Sequence, residues 1–108
     1  MKPNVSIIVP IWNAKDRIHN TIKSLCSQSL TNIEIICVLD CPTDGTDVII
    51  EQMASEDKRI KIVKNTSSLH VSGSRNKGLE IAVGEYVGFC DHDDFCNLKM
   101  FEKLYCKA

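Results

Sequence analysis

Two carboxylates lie two residues apart in the run Asp91-His92-Asp93-Asp94, which directly follows an apolar segment at residues 86–90. At the exit of a strand, this spacing lets both side chains reach one divalent cation and the phosphates bound beside it. Oxygen ligands of this type suit Mg²⁺ or Mn²⁺. Acidic triplets are also common as solvated turns, and Asp94 is well placed to start a helix. On this pattern alone, a metal site at Asp91 and Asp93 is one of two interpretations.

Polar or aromatic residues also follow two other apolar segments. Trp12 and Asn13 come soon after residues 5–9, and Asp40 directly follows residues 33–39. If these segments are parallel strands, their carboxyl ends meet at the edge of the sheet where α/β proteins bind ligands. The sequence therefore predicts a binding site at this edge, close to the acidic pair.

Short apolar runs alternate with segments of helical periodicity, which is typical of a βαβαβαβα order. The predicted strands cover residues 5–9, 33–39, 60–63 and 86–90. The first predicted helix covers residues 16–28, and the second begins at a cap at Asp44 or Thr46 and ends near residue 57. The third predicted helix has Arg75 near its start. The fourth and last carries an apolar side formed by Leu98, Phe101, Leu104 and Tyr105.

Two residues are expected to mark element boundaries. Pro10 should end the first strand because it has no amide donor for the ladder, and Gly84 should end the third helix in the left-handed conformation. Strands joined by single helices imply a mostly parallel sheet with right-handed crossovers and helices on both faces. The predicted fold class is therefore α/β, in one domain that covers residues 1–108.

The composition is that of an ordinary globular protein, with 44% hydrophobic residues, 25% charged residues and a net charge of -1. This charge balance argues against a nucleic-acid partner. No apolar run approaches the roughly 18 residues of a membrane span, so we expect a cytoplasmic chain. The six cysteines include no C-x-x-C pair, and Cys90, His92 and Cys96 lack a fourth zinc ligand at usable spacing. We expect reduced thiols.

Four segments, in order, resemble the motifs of family-2 glycosyltransferases. The run V-S-I-I-V-P-I-W-N at residues 5–13 resembles the family's V-S-I-I-V-P-x-Y-N, and residues 34–46 resemble its V-D-D-G-S-T-D-G-T segment. Residues 73–78 resemble its A-R-N-x-G, and residues 84–94 its G-x-Y-I-x-F-L-D-S-D-D. We therefore interpret the chain as the amino-terminal, nucleotide-sugar-binding part of an inverting family-2 glycosyltransferase.

The resemblance implies a Rossmann-like GT-A domain that binds a nucleoside-diphosphate sugar, most often a UDP-sugar. By position, Pro10 and Trp12 would frame the base, and the indole would stack on it. Asp40 would accept the imino hydrogen of the base. The alternative for Trp12 is an ordinary surface or core aromatic, and the alternative for Asp40 is a carboxylate that caps a turn.

The same resemblance assigns roles to three residues further along the chain. Arg75 would face the anionic nucleotide, Asp91 would bind the ribose, and Asp93 would hold the Mg²⁺ or Mn²⁺ ion together with Asp91. The general base would lie downstream of residue 108, together with the site for a glycan or lipid-linked acceptor. The chain is thus expected to be a truncated domain.

Some residues depart from the family pattern. Leu39 replaces the first of the family's paired aspartates, and Cys41-Pro42 replaces Gly-Ser, so the nucleoside pocket is expected to differ. Asn13 is expected to be structural, because its side chain can tie down the first loop.

A rival interpretation is a non-catalytic nucleotide- or Mg²⁺-binding module of the receiver-like or flavodoxin-like kind. Binding of UDP would favour the glycosyltransferase, and binding of a flavin would favour the rival class.

Overall fold

The computed structural model describes residues 3–28 and 31–90. Its strands are β1 (Val5–Ile11), β2 (Ile33–Leu39), β3 (Ile60–Lys64) and β4 (Tyr86–Phe89). Its helices are α1 (Ile18–Cys26), α2 (Thr46–Glu56) and α3 (His70–Ile81). This order confirms the predicted alternation as far as β4. The predicted final helix lies outside the described residues, as do Asp91 and Asp93.

All four strands are parallel, in the order β3-β2-β1-β4. The chain moves outward from β1 to β3 and then returns to the other side of β1. The sheet therefore has its switch point beside the carboxyl end of β1, which is where such sheets bind ligands. Within the described residues, no helix is long and apolar enough to cross a membrane.

Helices cover both faces of the sheet, as predicted. On one face, the odd-numbered side chains of β1 and β2 pack with Ile18, Ile22 and Leu25 of α1 and Ile50 of α2. On the other face, α3 crosses β1 and β2, and a Cβ at Gly78 would lie only 2.5 Å from the Ile8 Cγ2 atom. Every residue of β1 and β2 is buried, which explains why both segments are almost continuously apolar.

The prediction that Pro10 ends β1 is wrong, because the strand continues to Ile11. The Cys90 N–H donates to the Ile8 carbonyl at 3.0 Å, so even-numbered residues of β1 direct their backbone groups toward β4. The pairing of β1 with β4 stops at Ile8. Pro10 lies beyond the last pair, so its lack of an amide hydrogen leaves no described strand residue without a partner. On the other side, the Asp40 N–H donates to the Ile11 carbonyl at 2.7 Å and extends the β1–β2 ladder.

The prediction of a left-handed Gly84 is also wrong. Helix α3 ends at Ile81, its C-cap Ala82 is extended, and Gly45 is the glycine with positive φ in the described part of the chain. Gly84 instead permits a close backbone approach, since a Cβ there would lie 2.5 Å from Ser6 Oγ and 2.6 Å from Ser6 N.

The start of α2 differs by one residue from the prediction. Gly45, with φ of 91°, is the N-cap, rather than Asp44 or Thr46. The Asp44 carboxylate still accepts hydrogen bonds from the amides of Thr46 and Lys15, both at 3.1 Å. The buried Thr46 hydroxyl accepts one from the Ala14 amide at 3.0 Å. These bonds join the start of α2 to the loop after β1.

Candidate functional site

A cavity of about 380 Å³ opens at the carboxyl edge of the sheet. It is lined by Pro10, Ile11 and Trp12 from β1 and the residue after it, by Asp40 after β2, and by Ser68, His70, Val71 and Ser74 from α3 and the loop before it. The structure thus brings together three of the predicted nucleotide-binding residues, Pro10, Trp12 and Asp40.

Trp12 contributes an accessible aromatic wall to this cavity. Its side chain is 57% exposed although Ile11 beside it is buried, so the indole is not a core residue. Asn13 holds the loop that follows: its Oδ1 accepts a hydrogen bond from the Thr43 amide at 2.7 Å. This contact confirms the structural role predicted for Asn13. An exposed indole that lines a cavity can stack on a planar ring.

The Asp40 carboxylate is buried and accepts four hydrogen bonds. Its Oδ1 atom accepts from Asn65 Nδ2 at 2.9 Å and from the Leu69 amide at 2.7 Å. Its Oδ2 atom accepts from the Ser68 hydroxyl at 3.1 Å and from the His70 amide at 3.0 Å. All four donors lie in the loop after β3 or at the start of α3, so Asp40 anchors this segment.

These hydrogen bonds control the charge of Asp40. Burial alone would raise its pKa, but the donors, led by Asn65 and the Leu69 amide, outweigh burial and hold the pKa below its ordinary value. The group is therefore an anion at neutral pH. The capping function that the sequence left open is present in the structure, and the role of Asp40 toward a base stays a prediction.

Two residues with left-handed backbone flank Asp40. Cys41 has φ of 57° and His70 has φ of 60°, and neither is a glycine. Cys41 follows Asp40 in the chain and its thiol contacts the Asn65 carbonyl at 3.5 Å, while the His70 amide donates to the Asp40 carboxylate. Conformations of this kind persist where surrounding contacts hold them, and they cluster at functional sites.

Arg75 lies in the middle of α3, rather than near its start as predicted, and is not one of the cavity-lining residues. Its guanidinium carbon lies 5.4 Å from the centroid of the Phe89 ring, within cation–π distance. Phe89 is the last residue of β4, so Arg75 is directed toward the end of that strand.

The predicted metal ligands cannot be placed in the same way, because Asp91 and Asp93 lie outside the described residues. Cys90, which precedes them, is buried, and its amide pairs with Ile8 at the carboxyl end of β4. In the described ranges, 3–28 and 31–90, no three His, Cys, Asp or Glu side chains are grouped to hold a metal ion. The metal assignment therefore stays a prediction.

Sequence reasoning missed the lining residues that come from α3 and its preceding loop. Ser68, His70, Val71 and Ser74 lie at a distance along the chain from the ends of β1 and β2. The available signal was the polar composition of residues 65–72, which lie between the predicted third strand and the predicted third helix. Its place in the cavity depends on the path of α3 over the sheet, which local pattern does not specify.

Comparison with known proteins identifies the family. The sequence profile described as "Glycosyl transferase family 2" matches residues 6–108. The chain belongs to this family. A relative in Escherichia coli, UDP-Glc:alpha-D-GlcNAc-diphosphoundecaprenol beta-1,3-glucosyltransferase WfaP, is 44% identical over 91 residues, which cover 84% of this chain and 36% of the relative.

Solved structures of similar proteins confirm the GT-A fold of this family-2 chain. S. aureus TarS 1-349 in complex with UDP has a TM-score of 0.86 and 32% identity, over 98% of this chain and 31% of that one. The mannosyltransferase PcManGT from Pyrobaculum calidifontis, in complex with GDP-Man and Mn²⁺, has a TM-score of 0.78 and 26% identity, over 86% and 28% of the two chains. The family-2 chain spans between 29% and 40% of the length of several curated relatives, WfaP among them.

Proposed function

We propose that this family-2 chain binds the nucleotide of a UDP-sugar in the cavity beside Trp12, and that the protein transfers the sugar to an acceptor. The observation that carries the proposal is the cavity itself, in which an exposed indole lies close to an anchored loop at the ligand-binding edge of a parallel sheet. Its volume of about 380 Å³ is in the range of small-molecule sites.

The ligands of similar proteins support this donor class. TarS has been solved with UDP and with UDP-GlcNAc, and PcManGT with GDP-Man and Mn²⁺. Each of these ligands contains a nucleoside diphosphate. We favour uracil as the base because TarS is more similar to this chain than PcManGT is, at 32% against 26% identity.

We assign the diphosphate end of the donor to the residues that follow β4. Asp91 and Asp93 would hold Mg²⁺ or Mn²⁺, and Asp91 would also contact the ribose. When bound, the cation would neutralise the charge that develops on the departing nucleoside diphosphate. Arg75, whose guanidinium lies over Phe89 at the end of β4, would attract the same anionic group.

The acceptor side of the reaction is assigned to residues beyond these elements. Inverting transfer requires a general base to take the proton of the acceptor hydroxyl, and we expect that base downstream of residue 108. The name of WfaP pairs UDP-Glc with alpha-D-GlcNAc-diphosphoundecaprenol, which supports a lipid-linked or glycan acceptor. Residues 1–108 alone should therefore bind donor but show no appreciable transfer to such acceptors in a radiolabelled-donor assay.

Trp12 is the only tryptophan in the chain, so its fluorescence reports directly on the cavity. Titration with UDP in Mn²⁺ should quench it, whereas FMN should not compete. By calorimetry, Trp12→Ala should weaken UDP binding by roughly fivefold to 150-fold, because base–aromatic stacking contributes about 1–3 kcal/mol. Trp12→Phe is the matched control and should keep most of the affinity. Tight FMN binding without UDP binding would instead support the flavodoxin-like alternative.

A second experiment tests the metal separately. UDP affinity should fall when EDTA replaces Mn²⁺, because the carboxylates of Asp91 and Asp93 repel a diphosphate in the absence of a cation. Asp93→Ala should abolish the effect of Mn²⁺. Asp94→Ala is the matched control, since Asp94 has only a predicted role at a helix start, and it should preserve the Mn²⁺ dependence. Equal UDP affinity in EDTA and Mn²⁺ would refute the metal role.

A further inference from the structure

We infer that His70 is a base-contacting residue, whose imidazole supplies a second ring for the planar base that stacks on Trp12. This inference rests on the proposed nucleotide-binding function and extends it. The four segments that resemble family motifs, at residues 5–13, 34–46, 73–78 and 84–94, do not include His70. The role predicted for Asp40 is unchanged by it.

His70 lies in the same cavity as Trp12 but on a different wall. It is the first residue of α3, it lines the cavity, and it is exposed rather than packed in the core. Its amide donates to Asp40 Oδ2 at 3.0 Å, and the Asp40 amide donates to the Ile11 carbonyl at 2.7 Å. Asp40 therefore lies between His70 and the end of β1, which is followed by Trp12.

The order of the strands indicates which part of the donor His70 meets. Asp40 follows β2, whereas the proposed metal ligands follow β4, on the other side of β1. A nucleotide whose diphosphate lies beside β4 and whose base stacks on Trp12 directs its base toward β2. Since His70 is hydrogen-bonded to Asp40, its ring meets the base and not the diphosphate.

The backbone of His70 indicates that its side chain has a function. Its φ of 60° is a conformation that glycine adopts at almost no cost and that a residue with a Cβ adopts against steric repulsion. Residues of this kind cluster at ligand sites. In the described part of the chain, Cys41 is the other non-glycine residue with positive φ, and it does not line the cavity. A contact that glycine could not make explains a histidine at this position.

An imidazole is chemically suited to this contact. It is a planar ring with two nitrogens that can donate or accept hydrogen bonds, and proteins stack bases on histidine as well as on larger aromatic side chains. The Trp12 indole, which is 57% exposed, provides the first ring. A base held by both rings loses water from both of its faces, so each ring should contribute to affinity.

The test measures UDP and uridine affinity by Trp12 fluorescence, in Mn²⁺, for the wild-type chain, His70→Gly and His70→Ala. Both variants remove the imidazole, so we expect each affinity to fall by at least about fivefold, the lower end of what a base–aromatic stack contributes. The factor should agree within about twofold for UDP and uridine, because the contact is with the base. Unchanged UDP affinity in either variant would overturn the inference, and so would a loss confined to UDP.

Thermal unfolding separates a lost contact from a damaged cavity. His70→Gly relieves the left-handed strain, so its melting temperature should rise by about 2–6 °C while its UDP affinity falls. His70→Ala keeps the strain and should melt within about 2 °C of the wild-type chain. If both variants lost affinity together with a lower melting temperature, general destabilisation would explain the loss and the inference would be wrong.

The matched control is His19→Ala. His19 is an exposed histidine of α1 that does not line the cavity, so this variant should bind UDP as the wild-type chain does. Histidine ring signals in NMR spectra give a direct readout. Uridine should shift the signals that are missing from His70→Gly and not those missing from His19→Ala, and His70 signals that stay unchanged at saturation would contradict the inference.

Failure of the inference and failure of the proposed function have different signatures. A wild-type chain that binds no UDP would refute the proposed function and the role of His70 with it. UDP binding by the wild-type chain that both His70 variants retain would refute the role of His70 alone.

Discussion

Asn13 and Thr43 exchange two hydrogen bonds across the carboxyl edge of the sheet. The Thr43 amide donates to Asn13 Oδ1 at 2.7 Å, and Asn13 Nδ2 donates to the Thr43 hydroxyl at 3.1 Å. Asn13 comes directly after Trp12, and Thr43 lies in the turn between β2 and α2. The pair thus fixes the loop that carries the cavity's indole to the turn after the neighbouring strand.

Replacing Asn13 with alanine should remove both of these bonds. We expect the free energy of unfolding to fall by about 1–2 kcal/mol, since each exposed hydrogen bond contributes modestly. Urea denaturation measures this change. Thr43→Ser, which keeps the hydroxyl and the amide, should stay within about 0.5 kcal/mol of wild type. An Asn13→Ala chain as stable as the Thr43→Ser chain would show that the loop is held by other contacts.

Cys41→Gly should stabilise the protein. Cys41 has φ of 57°, a conformation that costs a residue with a Cβ about 1–2 kcal/mol and glycine almost nothing. We expect a gain of about 0.5–1 kcal/mol after the weak contact of its thiol with Asn65 is lost. Cys41→Ala is the control, because it keeps the strain and removes the thiol. If the alanine and glycine variants unfold at the same urea concentration, backbone strain is not the cause.

Gly84→Ala should destabilise the protein by about 2–3 kcal/mol, the cost of forcing atoms into a closely packed region. The added Cβ would lie 2.6 Å from the Ser6 amide nitrogen, a backbone atom that cannot turn away. Thermal unfolding followed by circular dichroism measures the loss. Val83→Ala, at an exposed neighbouring site, should change stability far less. A Gly84→Ala loss no larger than that of Val83→Ala would mean that β4 moves freely relative to β1.

Glu34 should make the protein sensitive to acid. It is buried in β2, and its carboxylate accepts hydrogen bonds from the Ser6 hydroxyl, the Lys61 ammonium group and, at 2.9 Å, the Val83 amide. Burial raises its pKa, but these bonds, led by that of Lys61, outweigh burial, so the pKa lies below its ordinary value. A carboxyl group with a lowered pKa stabilises the fold above its unfolded pKa of about 4.3, and this stability is lost as the pH falls through the folded value.

The measurement compares wild type with Glu34→Gln from pH 7 down to pH 3. At pH 7 the variant should be less stable by about 1–3 kcal/mol, and the difference should shrink below about pH 4 as the wild-type carboxylate is protonated. Glu51→Gln is the control, because Glu51 forms only an exposed pair with Lys64, and it should differ little from wild type. A difference for Glu34→Gln that stays constant over this range would show that its charge is not involved.

Local sequence pattern was sufficient to predict the order of the helices and strands. It also predicted the side of the site that carries Trp12 and Asp40. The β-branched runs in β1 and β2 are buried on both faces. Because of this burial the two segments are almost continuously apolar, which is the pattern that predicts central parallel strands. Because parallel strands end at one edge, the positions of Trp12 and Asp40 followed from the sequence. The family resemblance was likewise carried by short contiguous motifs, and the family match confirms it.

Contacts between segments distant in the chain were decided only by the tertiary structure. Proline is expected to end a strand, yet Pro10 continues β1 because its missing donor faces the side where β4 pairing has stopped. Gly84 was expected to adopt positive φ, yet its requirement is steric and comes from Ser6, far away in the sequence. The four hydrogen bonds that Asp40 accepts from residues 65–70 depend on how α3 crosses the sheet. Sequence periodicity reports which side of an element is apolar, whereas a hydrogen-bond partner across the fold is determined only when the elements pack.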